Sequence, residues 1–381
     1  MDKPVRVLQI FTTMNRGGAE SMIMNYYRHI DRNKIQFDFL VHREEKGAFE
    51  DEIEQLGGKI YRMPKINPLF PYPYYKRLDT FFKQHRYKLV HSHINTFSQF
   101  PLKIAKQNNI PCRIAHAHIA SESVVIKNIF SKNNTIEELK KIAKLFLKKN
   151  TSKYASQLFS CGIKAGEWLF GDSNSFLTVN NSIDSGLFKY DALKSKEYKK
   201  EFQIGENVVF GHVGRFNHQK NHFFLVRTFK AIHKLHKNSK LILVGDGELR
   251  HLIEEEIIRL GIQDNVLFLG VRSDIPALLQ MMDVFIMPSF FEGLPVTLVE
   301  AQAAGLKVFA SDSITDEAAL TDDVSFISLK ESPDYWAEKI VSAIPYERKD
   351  NSEIIKSKGY DIVESSRKLQ NFYLEQLRCS D

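Results

Sequence analysis

Two glutamates at a strand-to-helix junction are the first candidates for chemistry. Glu292 and Glu300 lie in the segment 288–305, which follows an apolar run that predicts a buried strand. Pro295 suits the start of a helix and Gly305 its end, so Glu292 falls in the loop and Glu300 in the helix. A helix start binds phosphate, and a carboxylate accepts hydrogen bonds from a diol. The segment therefore fits a ligand with phosphate and hydroxyl groups, such as a nucleotide sugar; the alternative is two surface glutamates on an ordinary helix.

Two cations occupy a second loop in the same half of the chain. Gly214, Arg215 and Lys220 follow the apolar run 208–213, which predicts another strand. Cations at the carboxyl end of a strand could clamp a diphosphate, and a guanidinium can bind it in a bidentate way. The alternative is a pair of solvated loop cations. The acid-bearing helix start downstream favours the clamp.

The elements that must position these residues alternate in type along the whole chain. Apolar β-type runs followed by helical patterns predict a doubly wound α/β fold. The predicted strands of the first half are 5–12, 37–42, 59–63, 89–93, 112–118, 157–161 and 176–180. Those of the second half are 208–213, 241–244, 266–269, 283–287, 308–311 and 324–328.

The length of 381 residues predicts two domains. We place a first Rossmann-like domain at 1–183 and a second at 184–359. The helical pattern in 360–381 predicts a C-terminal helix that packs back toward the first domain. The polar, lysine-rich stretch 181–205 has no core pattern and is interpreted as the connection between domains.

Composition limits the class of protein and its partners. The three cysteines are too few and too scattered for a disulfide framework, and no run of 18 apolar residues occurs, which predicts a reduced, cytoplasmic protein. Residues 1–190 hold 29 Lys and Arg against 17 Asp and Glu, whereas the rest hold 24 against 29. A basic first half could attract an anionic lipid or substrate. No basic-aromatic patch supports nucleic-acid binding, so no nucleic acid is expected.

One segment of the first half could contact a membrane. The segment 135–149, from Thr135 to Lys149, predicts an amphipathic helix with an apolar stripe opposite its lysines. Either the stripe packs on the core, or the helix contacts the anionic inner face of the plasma membrane.

The first half also contains glycines and histidines near predicted strand ends. Gly17 and Gly18 would let the backbone approach a ligand, although they do not form GxGxxG. The two His-x-His pairs are His91 with His93, and His116 with His118. Alternation along a strand puts each pair on one face. No acidic ligand accompanies them, so no metal site is predicted.

Four motifs in order along the chain resemble those of one enzyme family. They are GGAE at 17–20, GRFNHQKN at 214–221, VGDGEL at 244–249 and EGLPVTLVE at 292–300. Together they resemble family 4 of the retaining glycosyltransferases. The stretches 113–118, 168–171 and 180–184 resemble its capsule and exopolysaccharide branch.

The resemblance implies a GT-B fold, in which two doubly wound Rossmann-like domains face a central cleft. It further implies transfer of a hexose-type sugar from a nucleotide sugar, expected to be a UDP-sugar, to a lipid-linked saccharide with retention. No metal or cofactor is expected. A GT-B sugar-nucleotide epimerase or hydrolase, or a non-catalytic nucleotide-sugar-binding protein, are the alternatives. The spacing Glu-x7-Glu argues against an epimerase or a hydrolase. The presence of Arg215, Lys220, Glu292 and Glu300 argues against a non-catalytic binding protein.

The resemblance also assigns roles in the second domain. Arg215 and Lys220 would hold the donor diphosphate, and Glu300 would bind the ribose hydroxyls. Glu292 would contact the donor sugar near the backbone of Gly293 and Leu294. Gly214 and Val271 are also expected to bind the donor, and the backbone of Val271 would contact the base.

In the first domain the resemblance implies that Gly17 and Gly18 reach the diphosphate, and that one histidine lies near the donor sugar. His118 is preferred to His116 as this catalytic histidine because it is nearer the carboxyl end of its strand. His116, His91 and His93 are the candidates for the acceptor side.

Overall fold

The computed structural model describes residues 4–119, 147–172 and 174–378. They form two units, Met1–Ser182 with Ile362–Asp381 (the first unit) and Ile183–Asp361 (the second unit). Each unit is built on a parallel sheet with helices between its strands, which confirms the predicted doubly wound α/β class. The segment 135–149 lies outside the described residues except for its last three positions.

The sheet of the first unit has seven parallel strands in the order β3-β2-β1-β4-β5-β6-β7. The strands are β1 (Val5–Ile10), β2 (Ile35–Val41), β3 (Ile60–Arg62), β4 (Leu89–Ser92), β5 (Cys112–Ala117), β6 (Gln157–Ser160) and β7 (Leu177–Thr178). From β1 the chain adds β2 and β3 on one side of the sheet and then adds β4 to β7 on the other side. Sheets of this kind bind ligands where the strand order reverses, here between β1 and β4, at the carboxyl ends of the strands.

Helices cover this sheet and bury its apolar side chains. They are Gly18–His29, Glu50–Gln55, Tyr72–His85, Gln99–Gln107, Thr151–Tyr154, Ile163–Phe170 and the C-terminal helix Ile362–Arg378. The C-terminal helix belongs to the first unit, because Leu369 and Tyr373 are buried in the same core as Phe37 of β2. Its side chains therefore reach residues more than 300 positions earlier in the chain.

The sheet of the second unit has six parallel strands in the order β10-β9-β8-β11-β12-β13. The strands are β8 (Val208–Val213), β9 (Ser239–Val244), β10 (Val266–Gly270), β11 (Val284–Met287), β12 (Lys307–Ser311) and β13 (Val324–Ile327). The helices are Ser185–Phe188, Ala192–Glu201, His222–Leu235, Arg250–Leu260, Ile275–Met281, Val296–Ala303, Pro333–Ser342 and Ser352–Ser357. The reversal here lies between β8 and β11, the strands that precede the two candidate loops.

The lysine-rich stretch 181–205 differs from its interpretation as a plain connection. It contains the helices Ser185–Phe188 and Ala192–Glu201. Asp191 begins the longer one, since its carboxylate accepts hydrogen bonds from the backbone of Leu193 at 2.9 Å and Lys194 at 3.2 Å. The longer helix lacked an apolar signature because most of its side chains are exposed. Among the described residues, no helix is both long and apolar enough to cross a membrane.

Candidate functional site

Two loops of the second unit lie side by side because β8 and β11 are adjacent parallel strands. The loop 214–221 follows β8, and the loop 288–295 follows β11. Phe290 donates its backbone N–H to the carbonyl of Gln219 at 2.9 Å, and the Gln219 side chain donates to the carbonyl of Phe291 at 2.9 Å. These bonds bring Lys220 and Glu292 together.

Lys220 and Glu292 form a largely buried ion pair. The ammonium nitrogen of Lys220 lies 2.7 Å from Oε1 of Glu292, and the side chains are 14% and 8% exposed. Gln219 donates from Nε2 to the other carboxylate oxygen at 3.1 Å. A ligand here would therefore meet a neutral pair rather than an isolated cation and an isolated anion. Gln219 was missed from the sequence, although it lies inside the motif GRFNHQKN.

Arg215 differs from Lys220 in its surroundings. Its side chain is exposed, and the guanidinium has no hydrogen-bond or ion-pair partner among the residues that the structure describes. The backbone beside it is held, because Phe216 donates to the carbonyl of Asp246 at 3.0 Å. Arg215 is thus a cation on a fixed loop whose five N–H donors can bind an incoming anion.

Glycines let the loops after β8 and β9 pack closely. Gly245 has φ +131°, and a Cβ there would lie 2.0 Å from the carbonyl oxygen of Gly214. A Cβ on Gly214 would lie 2.8 Å from Nε2 of His212 and 3.2 Å from Cε of Lys220. Gly214 therefore allows the Lys220 side chain to lie against the strand end. His212 beneath it is neutral, because burial lowers its pKa to about 3.

Glu300 lies on the helix Val296–Ala303, which follows this loop. Burial of its carboxyl raises its pKa to about 7, although part of the residue keeps accessible surface. Pro295 begins the helix and Gly305, with φ +69°, follows its end, as the sequence predicted. Gly293 and Leu294 lie in the loop just before the helix, and Leu294 is buried.

Val271 lies at the end of β10, beside these loops. It follows Gly270, which has φ +64°, and its side chain is 59% exposed. Gly245 donates its N–H to the carbonyl of Gly270 at 2.8 Å, which ties this turn to the one after β9. The site candidates of the second unit thus follow β8, β10 and β11, at one edge of one sheet.

In the first unit, Gly17 and Gly18 begin the helix that follows β1. A Cβ on Gly17 would lie 2.3 Å from a carboxylate oxygen of Glu20, whereas a Cβ on Gly18 would meet nothing within 4 Å. A side chain at Gly17 would therefore require only the end of the Glu20 side chain to move, and Gly18 leaves open space at the helix start.

The four histidines lie together within the first unit, and their burial corrects one prediction. His91 and His93 were candidates for the acceptor side, but both are buried and both of their ring nitrogens are hydrogen-bonded within the unit. They have no free ring atom for a substrate. His116 is also fully buried, while His118 retains 8% exposure at the end of β5. Of the four, His118 keeps the largest exposed fraction.

Ring nitrogens of His91, His93 and His116 lie within 4.8 Å of one another, a spacing that a metal ion could bridge. Metal ligands direct their lone pairs at one point. Here Nε2 of His91 lies 3.0 Å from Nδ1 of His116, the distance of a shared proton. The rings are arranged as hydrogen-bonded pairs.

Comparison with known proteins agrees with this architecture. A family model described as glycosyl transferases group 1 matches residues 194–359. The putative glycosyltransferase EpsF of Bacillus subtilis (strain 168) is 36% identical over 378 residues, which cover 97% of this chain and 96% of EpsF. The chain belongs to the group 1 glycosyltransferases.

Two further relatives of this glycosyltransferase have more specific names. The capsular polysaccharide biosynthesis glycosyltransferase CapH of Staphylococcus aureus is 27% identical, over 98% of this chain and 99% of CapH. A UDP-Gal:alpha-D-GlcNAc-diphosphoundecaprenol alpha-1,3-galactosyltransferase of Escherichia coli is 28% identical, over 60% of this chain and 59% of its own length.

A solved structure supports the fold of the glycosyltransferase. Anabaena HepE in complex with UDP-glucose superposes with a TM-score of 0.75 at 20% identity, over 97% of this chain and 99% of HepE. The two parallel-sheet α/β domains are those of the GT-B class, which confirms the predicted fold class.

Proposed function

We propose that this glycosyltransferase moves a hexose-type sugar from a UDP-sugar to a lipid-linked saccharide, with retention at the anomeric carbon, in the biosynthesis of a surface polysaccharide. The observation that carries the proposal is the placement of Arg215 and the Lys220–Glu292 pair on the loops after the adjacent strands β8 and β11, with Glu300 on the helix that follows the second loop. This grouping offers a cation for phosphate, a polar pair for sugar hydroxyls and a carboxylate for a ribose.

The donor part of the proposal follows from charge. Arg215 is an exposed, unpaired cation among the described residues, so we assign it the diphosphate. The charge of Lys220 is already balanced by Glu292, so that pair adds hydrogen bonds rather than net charge. Glu300 would accept the ribose hydroxyls, and the Val271 backbone would lie against the base. The UDP-glucose complex of HepE and the UDP-galactose name of the Escherichia coli relative support a UDP-sugar.

The acceptor part rests on relatives and on one surface. The names of CapH and of the Escherichia coli enzyme support a polysaccharide and a diphosphate-lipid acceptor. In the first unit, Leu69 and Phe70 are 88% and 77% exposed on the loop before the helix Tyr72–His85, and Tyr72 at the start of that helix is 72% exposed. Residues 59–78 around them contain five Lys or Arg and no Asp or Glu. Exposed apolar side chains flanked by cations suit the anionic inner face of the plasma membrane, where we place the reaction.

The chemistry needs neither a metal nor an enzyme nucleophile. The acceptor hydroxyl attacks the anomeric carbon on the face from which the diphosphate leaves. The bond from that carbon to the phosphate oxygen breaks, its electron pair stays with the nucleoside diphosphate, and the leaving phosphate takes the acceptor proton. Negative charge develops on the diphosphate, and a pre-positioned cation such as Arg215 would stabilise it. Glu292 is held by Lys220 and Glu300 is assigned to the ribose hydroxyls, so neither glutamate is assigned as a nucleophile.

Thermal unfolding with UDP, GDP, ADP and NAD tests the donor site. A nucleotide at 100 times its Kd stabilises a protein by about 2.7 kcal/mol. We expect UDP alone to raise the Tm, with EDTA present, and Glu300→Ala to lose the effect. A shift with NAD instead would contradict the proposal. Incubation of a UDP-hexose with a lipid-linked saccharide then separates a transferase from an epimerase or hydrolase, which would give a free epimer or free sugar. A covalent glycosyl-enzyme in mass spectrometry would overturn the front-face displacement.

A further inference from the structure

One guanidinium group of the second unit uses all of its hydrogen-bond donors on backbone carbonyls. Arg348 donates from Nε to the carbonyl of Ala304 at 3.0 Å, and its Nη2 also donates to that oxygen. Nη1 donates to the carbonyls of Gln280 at 2.8 Å and Met282 at 3.0 Å. Nη2 donates in addition to the carbonyl of Leu279 at 3.1 Å. Because a guanidinium has five N–H donors, this arrangement leaves none for another partner.

The carbonyls that Arg348 binds belong to the carboxyl ends of two helices. Three of them lie at the end of the helix Ile275–Met281, and the fourth, that of Ala304, directly follows the helix Val296–Ala303. The last carbonyls of a helix lack partners within it and carry a partial negative charge. One cation therefore binds the negative ends of two helices at once.

The helix ends take the place of a carboxylate beside this cation. Among the residues that the structure describes, no carboxylate forms an ion pair with Arg348. The ring of Tyr190 lies under the guanidinium, whose carbon is 4.0 Å from the ring centroid. Without the Arg348 side chain, the carbonyls at both helix ends would lose these hydrogen bonds, and nothing else described would join the two ends through a charge.

The segment that carries Arg348 lies directly against the end of the helix Val296–Ala303. Gly305, which follows this helix, has φ +69°, and a Cβ there would lie 2.3 Å from the carbonyl oxygen of Lys349. Asn351 donates from Nδ2 to the carbonyl of Gln302 at 3.0 Å. Three contacts from one short segment thus fix the carboxyl end of the helix.

The helix held in this way carries Glu300. It has eight residues, so its length is about 12 Å. Ala304 donates its backbone N–H to the carbonyl of Glu300 at 2.9 Å, which places Glu300 one turn before the carbonyl that Arg348 holds. Side chains lean toward the amino end of their helix, and this end adjoins the loop 288–295. A shift of the carboxyl end of so short a helix would therefore move the Glu300 carboxylate.

The other helix that Arg348 holds begins beside the turn at Val271. The helix Ile275–Met281 follows that turn, and the segment between them is itself held, since Arg272 donates to the carboxylate of Asp274 at 2.8 and 2.6 Å. Both helices follow strands of one parallel sheet, so their amino ends lie at the sheet edge where the site candidates lie. Arg348 joins their carboxyl ends.

We propose that Arg348 is a positioning residue for the nucleoside of the donor. By joining the two helices, it fixes the Glu300 carboxylate relative to the turn at Val271 and so holds the ribose contact in register with the base contact. It acts from the other edge of the sheet, because the helix end that it holds leads into β12. The inference rests on the proposed function, since it takes Glu300 as the group that binds the ribose hydroxyls.

The preference for UDP over 2′-deoxy-UDP measures the ribose contact and tests this role. By calorimetry on the full-length protein, we expect the wild type to bind UDP about 10- to 100-fold more tightly, the value of one hydrogen bond to a charged group. Glu300→Ala should lose this preference. Arg348→Met should reduce it to less than about threefold, because a small displacement misaligns the carboxylate. Arg348→Lys should give an intermediate preference, since it restores the cation but not the planar fork.

A loss of stability alone should not change the preference. The matched control is Lys199→Met, which removes a half-buried cation of the same unit that pairs with Asp283 at 2.9 Å. We expect this variant to have a lower Tm and the wild-type preference. Hydrogen exchange of residues 296–304 should be faster in Arg348→Met than in the wild type and unchanged in Lys199→Met. If Arg348→Met does not fold, Arg348→Lys is measured in its place.

A wild-type preference in the folded Arg348 variant would overturn the inference. An equal loss of preference in Lys199→Met would also overturn it, since general destabilisation would then explain the effect. An equal preference for UDP in the wild type and in Glu300→Ala would show instead that Glu300 does not bind the ribose. That result would contradict the proposed donor site, and the inference with it.

Discussion

The ammonium group of Lys220 lies 2.7 Å from the carboxylate of Glu292, 72 residues later in the chain. The pair joins the loops after two adjacent strands, and Gln219 completes the hydrogen bonding of the carboxylate. These residues were predicted to contact different parts of a ligand. Their pairing means that each one holds the other in position.

Removing one partner of this pair should cost more stability than removing both. Lys220→Met or Glu292→Gln leaves a largely buried group unpaired, and we expect each to lower the free energy of unfolding by about 2–4 kcal/mol. The double variant should recover most of the loss, because no unpaired charge remains. Urea unfolding of the three variants measures the coupling. If the stability losses of the two single variants simply add in the double variant, the two side chains have no favourable interaction energy and the prediction is wrong.

Arg215 should affect phosphate binding without affecting stability. Because it is exposed and unpaired among the described residues, Arg215→Ala should leave the Tm unchanged. It should weaken UDP binding by about 1.5–3 kcal/mol, the value of a hydrogen bond to a charged group. Calorimetry with UDP and with uridine checks this, since uridine binding should not change. Lys230→Ala is the control, since Lys230 is an exposed cation on the helix after the loop. An equal loss of UDP affinity in this variant would mean that Arg215 acts only through long-range charge.

Glu300 should make UDP binding depend on pH. Its pKa is raised to about 7, so below that value the carboxyl is neutral in the free protein. Ribose hydroxyls favour the ionised form, so binding should release a proton. UDP affinity should then rise by about tenfold between pH 6 and pH 8.

Glu300→Gln supplies the control for that experiment. The variant retains any pH dependence that comes from the UDP phosphate, so the difference between the two proteins isolates Glu300. Identical pH profiles would remove Glu300 from the nucleotide site. The sign for stability is opposite: ionisation of a carboxyl with a raised pKa disfavours the fold, so wild type should lose stability relative to Glu300→Gln as pH rises from 4.5 through 7.

Acid should destabilise the first unit more steeply than the second. Burial lowers the pKa of five histidines in the first unit, including His42 and His118, but of fewer in the second, chiefly His212 and His222. A lowered pKa gives stability that is present above the unfolded value of 6.5 and is lost as pH falls below it. Each such histidine removes about 1.36 kcal/mol per pH unit.

The chain has one tryptophan in each unit, which allows the two to be measured separately. Trp168 lies in the first unit and Trp336 is buried in the second. Urea unfolding of Trp336→Phe then reports the first unit, and that of Trp168→Phe the second. Equal slopes of stability against pH below 6.5 would contradict the prediction.

The exposed residues Leu69 and Phe70 and the helix start at Tyr72 should contribute to membrane binding. Serine replacements at Leu69, Phe70 and Tyr72 should abolish sedimentation with anionic liposomes, and high salt should weaken the wild-type binding. Leu193→Ser is the control, since that leucine is 73% exposed in the second unit. If the triple variant still binds but charge reversal of the lysines in 135–149 abolishes binding, the contact lies in that segment instead.

The sequence by itself determined the elements and the residue types of the site. Strand β8 has the predicted bounds 208–213, and the helix Val296–Ala303 begins after Pro295 and ends before Gly305, as these two residues predicted. These features are local: apolar runs, helix ends and glycine turns depend on residues a few positions apart. The surface helix Ala192–Glu201 was missed because it buries too little to leave an apolar pattern.

Only the tertiary structure decided which side chains meet. Lys220 pairs with Glu292, and Gln9 and Tyr373, 364 positions apart, hold one set of histidines. The order of strands in a sheet and the return of the C-terminal helix set these contacts, and periodicity carries no information on either. Burial follows from the same packing, so the buried state of His91 and His93 and the raised pKa of Glu300 could not be predicted from the chain alone.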